Sequence, residues 1–320
     1  MSSSPQGSFL HPRDGKRCLE DKEAPLSIEN AAEHTENHRT YHGFNKGKYM
    51  LPNDEEEQDR LDFLHHALLH VTGRLTYVSH PTDGRVLDLG CGTGIWAIDF
   101  AKKFPDAFVL GVDLSSIQPA EHPVNCDFYA PFDYEFPWQL GEESWDMIRL
   151  QMGSGSVANW PSLYRRVIAH LRPGAWFEQI DIDLEPKCEN HTLEGSALYS
   201  WYHRLKQATN DAARPISQQF GTVVDQLLNA GFTDIEHEQF QLPLNRWHPD
   251  TGLQHIGHWY GRAFFDAIEP LSLAPFYRIL EWPLDEIQRL ITDAKSEMLD
   301  PSILSFQMLH IYKARKKPKQ

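Results

Sequence analysis

The sequence predicts an α/β fold: an open, mostly parallel sheet with helices on both faces, an N-terminal helical segment and a C-terminal helical cap insertion. Three observations lead there. From residue 85 to residue 183 the pattern alternates strand and helix, the signature of a parallel sheet covered on both sides. The apolar run that begins this stretch ends in glycines at 90, 92 and 94, which open a helix. Two later strand-like stretches, 233–243 and 303–314, flank a long helical segment and bring the sheet to seven strands.

The elements follow in order. Residues 1–38 are polar, with few aromatics, and are expected to be disordered. Asn53 is placed to cap a helix, with Asp54, Glu55, Glu56 and Glu57 in its first turn. Leu61, Leu64, Leu68 and Val71 give that helix one apolar face. RVLDLG is the first strand of the alternating region, IWAIDFAKKF a helix, VLGVDL the second strand and CDFYA a short third. SWDMIRLQM is the fourth strand, and NWPSLYRRVIAHL a helix that tolerates Pro161 in its first turn. RPG reads as a turn and AWFEQIDID as the fifth strand. Helices are expected at 193–213 and 216–229, then a strand TDIEHEQFQLP, a helical stretch over about 250–299, and a last strand ILSFQMLHIYKA.

Composition narrows the function classes. The 320 residues suffice for one large domain or two small ones. Hydrophobic residues at 41% and charged residues at 23% indicate a globular chain. No apolar run is long enough for a membrane span, and the N-terminus lacks the apolar core of a secretory signal. The four cysteines, at 18, 91, 126 and 188, form no CxxC pair, which points to reduced thiols in the cytosol or nucleus. A net charge of −15 disfavours direct contact with nucleic acid. The tail KARKKPK at 313–319 is a local exception, either a solvated end or a nuclear import patch.

Ligands of open parallel sheets bind beyond the carboxyl ends of the strands. Glycines there permit tight turning and close approach to the backbone. Asp113, nineteen residues after Gly94, ends the second strand where an acid accepts hydrogen bonds from ribose hydroxyls. Both features suit NAD and S-adenosylmethionine. Three details favour the latter. The spacing is GxGxG, not the GxGxxG of dinucleotide sites. Asp88 inside the strand would repel a pyrophosphate and attract the ammonium of a methionine moiety. No Lys or Arg lies within 86–101 to cradle a phosphate.

VLDLGCGTGIWAIDF with GVDLS resembles motif I and the second-strand acid of class I methyltransferases. The strings YHGFNKGKYMLPNDEEEQDRLD, GVDLSSIQP and GSVANWPSLYRRVIAHLRPGAWFEQIDIDLEP resemble the LaeA-like fungal branch of that superfamily, over about residues 41–190. The resemblance implies a Rossmann-like seven-stranded fold over 39–320, with its core at 85–190 and a cap at about 249–299. It also implies S-adenosylmethionine as cofactor and a role in fungal secondary metabolism, development or their regulation. Cofactor contacts are then expected from Asp88, Gly90, Cys91, Gly92, Gly94, Asp113 and Leu114. The family often carries an acidic pair after its third strand; here Pro131 and Phe132 stand there, with Asp133 as a substitute acid and Phe132 as a stacking partner for adenine.

Methyl transfer is an in-line displacement in which alignment supplies much of the acceleration. A base is needed only for an acceptor that loses a proton, so no obligatory catalytic residue is assigned. Gln151 at the end of the fourth strand either bonds cofactor or acceptor or is a polar loop residue. Tyr41 and Tyr49 flank a loop that either folds over the cofactor or packs the N-terminal segment on the sheet. His34, His38 and His42 are spaced by four, but no fourth ligand is evident and no metal site is assigned. His65 and His66 on the first helix, like His255 and His258 in the cap, read as packing or surface residues, with His255 or His258 the alternative base for a hydroxyl acceptor. Trp247, Trp259, Tyr260, Phe264 and Phe265 read as core first and as the lining of an acceptor pocket second. The expected partner is a small-molecule or protein methyl acceptor. A regulatory scaffold acting through nuclear protein partners is the alternative, since a fold does not fix function; an NAD-dependent oxidoreductase comes last.

Overall fold

The computed structural model describes residues 32–44, 46–47, 49–218 and 220–319. The expectation of disorder over 1–31, and Cys18 with it, lies outside these residues. For the rest of that stretch the expectation fails. Strands β1 (His34–Glu36) and β2 (Arg39–Tyr41) form an antiparallel hairpin, held to the cap by Arg278, whose Nε donates to Glu36 at 2.6 Å.

Helix α1 (Glu55–Thr72) is capped by Asp54, not Asn53: the Asp54 carboxylate accepts from the Glu57 backbone N–H at 3.1 Å. Asn53 is engaged elsewhere, its N–H donating to Thr40 O and its amide to Glu33. The alternating region then runs β3 (Arg85–Leu89), α2 (Ile95–Lys103), β4 (Phe108–Val112), β5 (Cys126–Tyr129), β6 (Trp145–Gln151), α3 (Trp160–His170) and β7 (Leu171–Cys188). RPG is not a chain-reversing turn. It lies within β7, in an irregularity where Leu171 pairs with Trp145 and Trp176 with Met147, and Gly174 takes φ +84° there. Helices α4 (Ala197–Asp211) and α5 (Val223–Ala230) lead to β8 (Phe232–Pro243). Helix α6 (Thr251–Ala274), a π-turn over Pro275–Ile279 and α7 (Leu284–Leu299) precede β9 (Ser305–Lys316).

The seven strands stand in the order β5-β4-β3-β6-β7-β9-β8. The first five are parallel, and β9 runs antiparallel between β7 and β8. Period-two alternation divides the core between the faces. Val86, Val109 and Met147 pack with Trp96 and Phe100 of α2. Leu87, Leu89, Ile148 and Phe177 pack with α3 and α5 on the other face. A third core joins α1, α4, α6 and α7 to Ile180, Ile182 and Leu184 of β7, so these helices cap the sheet beside the α2 face.

Candidate active site

A cleft opens at the C-terminal ends of β3, β4 and β6. Its lining includes Tyr49, Asp88, Gly90, Cys91, Gly92, Asp113, Leu114, Asp133 and Gln151. The β3–α2 loop owes its shape to backbone bonding: the N–H groups of Gly90 and Cys91 both donate to Val112 O, at 2.8 and 3.1 Å. Asp113 braces it further, accepting from Gly92 N at 2.9 Å and from Ser115 N at 2.8 Å. Burial raises the Asp113 carboxyl above its ordinary value, against these backbone bonds.

Gly90 and Gly92 need positive φ, +67° and +56°, and a Cβ on Gly92 would touch Leu61 at 3.7 Å, an ordinary van der Waals contact. Gly94 has a different reason to be glycine. It is absent from the cleft lining, and a Cβ there would overlap the Phe128 ring.

Asp88 is 1% exposed. Burial lifts its carboxyl to about 6, opposed by Arg149. Arg149 Nη1 stands 3.1 Å from Asp88 Oδ1, and Asp88 Oδ2 has no hydrogen-bond partner among the described residues. The same guanidinium lies 3.4 Å from Glu178, donates to Gln151 Oε1 and sits 4.2 Å from the Trp96 ring centroid. Strand register explains the grouping: Asp88 pairs with Arg149 and Arg149 with Glu178 on three adjacent strands. Asp88 and Arg149 are far apart along the chain, so spacing in the sequence shows no cation beside Asp88. The available signal was one charged residue within each of three otherwise uncharged stretches, VLDL, MIRLQ and WFEQ.

Other expected residues fall elsewhere. Tyr49 lines the cleft, but Tyr41 does not. It is buried with Met50 and Ala274, stacked on His34 and covered by Arg278 at 4.4 Å, so its role is packing. Phe132 is outside the lining; its N–H donates to Asp113 O and its ring packs on Tyr129. Asp133 does reach the cleft and accepts from Glu135 N at 2.9 Å. His34 lies in β1, His38 in the hairpin turn and His42 beyond β2, not on one helix face. Among the described residues no His/Cys/Asp/Glu group is placed to hold a metal. His65, expected in packing or at the surface, lines the cleft; its Nε2 is 3.1 Å from Asp99 and burial lowers its pKa.

A second, apolar cavity lies under the cap and shares Tyr49, Leu61, Leu64, Met152 and Ser156 with the cleft. Ile182, Leu184, Leu205, Tyr260, Phe264 and Ala267 help line it. Tyr260 and Phe264 are thus both core and cavity wall. Trp259 and Phe265 face an outer groove between α1 and α6, and Trp247 donates to Ser305 O. His258 is in that outer groove, and His255 accepts from Trp259, so neither lines the apolar cavity as a base.

Residues 59–237 match a family model described as a methyltransferase domain. The protein-methionine methyltransferase laeA of Emericella nidulans is 57% identical over 285 residues, 88% of this chain and 76% of that protein. A secondary metabolism regulator of Cochliobolus heterostrophus is 42% identical over 301 residues, 91% of this chain and 97% of that protein. A solved methyltransferase candidate from an antibiotic biosynthesis pathway of Anabaena variabilis shares the fold with TM-score 0.50 at 14% identity, over 78% of this chain and 95% of that one. By its methyltransferase domain and its identity over most of its length to these relatives, the chain belongs to the LaeA-like family of methyltransferases.

Proposed function

We propose that the cleft holds S-adenosylmethionine, the methyl donor of this family, and that the acceptor is a methionine thioether presented through the apolar cavity. The observation that carries the acceptor reading is the chemistry of that cavity. Among the described residues that line it there is no His, Asp, Glu or Lys. Its one cation, Arg60, is paired with Glu57, Nε to Oε2 at 2.8 Å. Burial pushes the Tyr49 and Tyr260 hydroxyls up, away from the ionised form. Such walls cannot take a proton from an amine or hydroxyl near neutral pH. When bound, S-adenosylmethionine supplies a methyl on a sulfonium, and its transfer to a thioether sulfur yields a new sulfonium without loss of a proton. An apolar pocket also suits the side chain of methionine.

The donor end is supported by Asp88. Its buried, unpartnered Oδ2 in the cleft wall is an acceptor that a ligand ammonium satisfies. The Emericella relative is named for protein methionine, which agrees with the acceptor reading. The names of the relatives extend the proposal to fungal secondary metabolism and its regulation, with the cytosol or nucleus as the place of action. No helix among the described residues is long and apolar enough to cross a membrane.

The test uses the full chain, donor carrying a labelled methyl, and two peptides that differ only in methionine against norleucine. Label on the methionine peptide alone is expected. Label on both peptides, or on a lysine of either, contradicts the thioether reading.

A further inference from the structure

Arg149 touches three acceptors at once in the wall of the cleft. An arginine has N–H donors and no acceptor. The atom of the Gln151 side chain that faces it is therefore the carbonyl oxygen, and Arg149 Nη2 donates to it. What remains on that amide is its pair of Nε2 donors, at the end of β6 where Gln151 lines the cleft. On its other side Arg149 engages Asp88 Oδ1 at 3.1 Å, leaving Oδ2 buried without a partner. One guanidinium thus sorts its two neighbours into opposite kinds, an anionic acceptor and an amide donor.

The guanidinium is itself held. Trp96 lies under it at 4.2 Å. Glu178 stands 3.4 Å from Nε and is fixed by Tyr77 N at 2.6 Å and Thr76 Oγ1 at 3.0 Å. A lysine would keep the charge but not the planar fork that reaches two neighbours in different directions.

We propose that Arg149 is a positioning residue, acting through Asp88 and Gln151, that sets the cleft to take the zwitterionic α-amino-acid end of the methyl donor: Asp88 Oδ2 for the ammonium, Gln151 Nε2 for the carboxylate. The proposal rests on the cleft being the S-adenosylmethionine site. It assigns Arg149 no contact with the transferred methyl.

Isothermal titration of the full chain with three ligands tests it. S-adenosylmethionine and S-adenosylhomocysteine carry the amino-acid end; 5′-methylthioadenosine lacks it. Arg149→Lys should weaken the first two about tenfold or more and leave the third within about twofold. Gln151→Glu, with Arg149 intact, should show the same selective loss, because it puts a second anion where donors stood. It decides the matter if Arg149→Lys gives no cooperative melt. Equal losses on all three ligands would mark Arg149 as merely structural and overturn the proposal, as would no loss on any. A wild-type chain that binds none of the three overturns the donor reading of the cleft, and this proposal with it.

Discussion

Asp88 and Arg149 are paired across adjacent parallel strands, 3.1 Å apart and both at least 95% buried, with Glu178 completing the row on the next strand. A buried cation between two carboxylates is costly to remove, because both anions then lose their compensation. Arg149→Met should therefore destabilise the fold by about 3–5 kcal/mol in urea denaturation. A loss under about 1 kcal/mol would show that the row contributes little.

Binding should depend on pH through Asp88. Its folded-state value of about 6 lies above the ordinary carboxylate range, raised by burial and by the Asp113 charge and lowered by Arg149. The folded protein therefore takes up this proton before the unfolded chain does. With respect to this group alone, the empty fold gains stability as pH falls through about 6. Ligand binding has the opposite sign, because an ammonium needs the anion. Affinity for S-adenosylmethionine should fall as pH drops below about 6, and Asp88→Asn should bind weakly with a flatter profile. Titrations over this range that give one affinity for the wild type contradict the assignment.

The loop glycines should separate into two kinds. Gly94→Ala meets the Phe128 ring at positive φ and should cost roughly 1–3 kcal/mol of stability. Gly92→Val places its side chain in the cleft against Leu61, also at positive φ, and should abolish donor binding at some cost in stability while still giving a cooperative melt. Because Asp113 braces Gly92 and Ser115, Gly92→Val is a cleaner donor-blind variant than Asp113→Ala. In cells it tells catalysis from scaffolding: a regulatory phenotype that survives Gly92→Val favours the scaffold.

Filling the apolar cavity should stop transfer and spare the donor. Ala267 is in its wall and outside the cleft lining. Ala267→Phe should leave S-adenosylmethionine affinity within about twofold and remove labelling of a methionine peptide. Undiminished labelling would place the acceptor elsewhere.

The basic tail should act on folding before location. Lys313, Ala314, Arg315 and Lys316 belong to β9, between β7 and β8. Lys313 pairs with Glu236 and Glu238, and Lys319 with Glu143. Deletion of 313–319 should lower the melting temperature sharply. A truncated chain that melts like the full one would free the tail for an import role.

Much of this was legible because it is local. The run from Arg85 to Val112 shows strand, glycine turn and helix within one short window, and helices cap by neighbours in sequence. Register is not local. Asp88 and Arg149 are 61 residues apart, and no periodicity announces that they face each other. The same limit hid Tyr41, whose partners Ala274 and Arg278 lie in the cap, and made RPG look like a turn. KARKKPK looked like a free end because the acids that hold it, Glu143, Glu236 and Glu238, come from β8 and the loop before β6.

The most direct measurement is calorimetric titration of the full chain with S-adenosylmethionine and, separately, with NAD. One S-adenosylmethionine per chain with no heat from NAD is the expected result. No binding of S-adenosylmethionine, or equal affinity for NAD, would contradict the assignment of the Asp88–Arg149 cleft as the methyl-donor site.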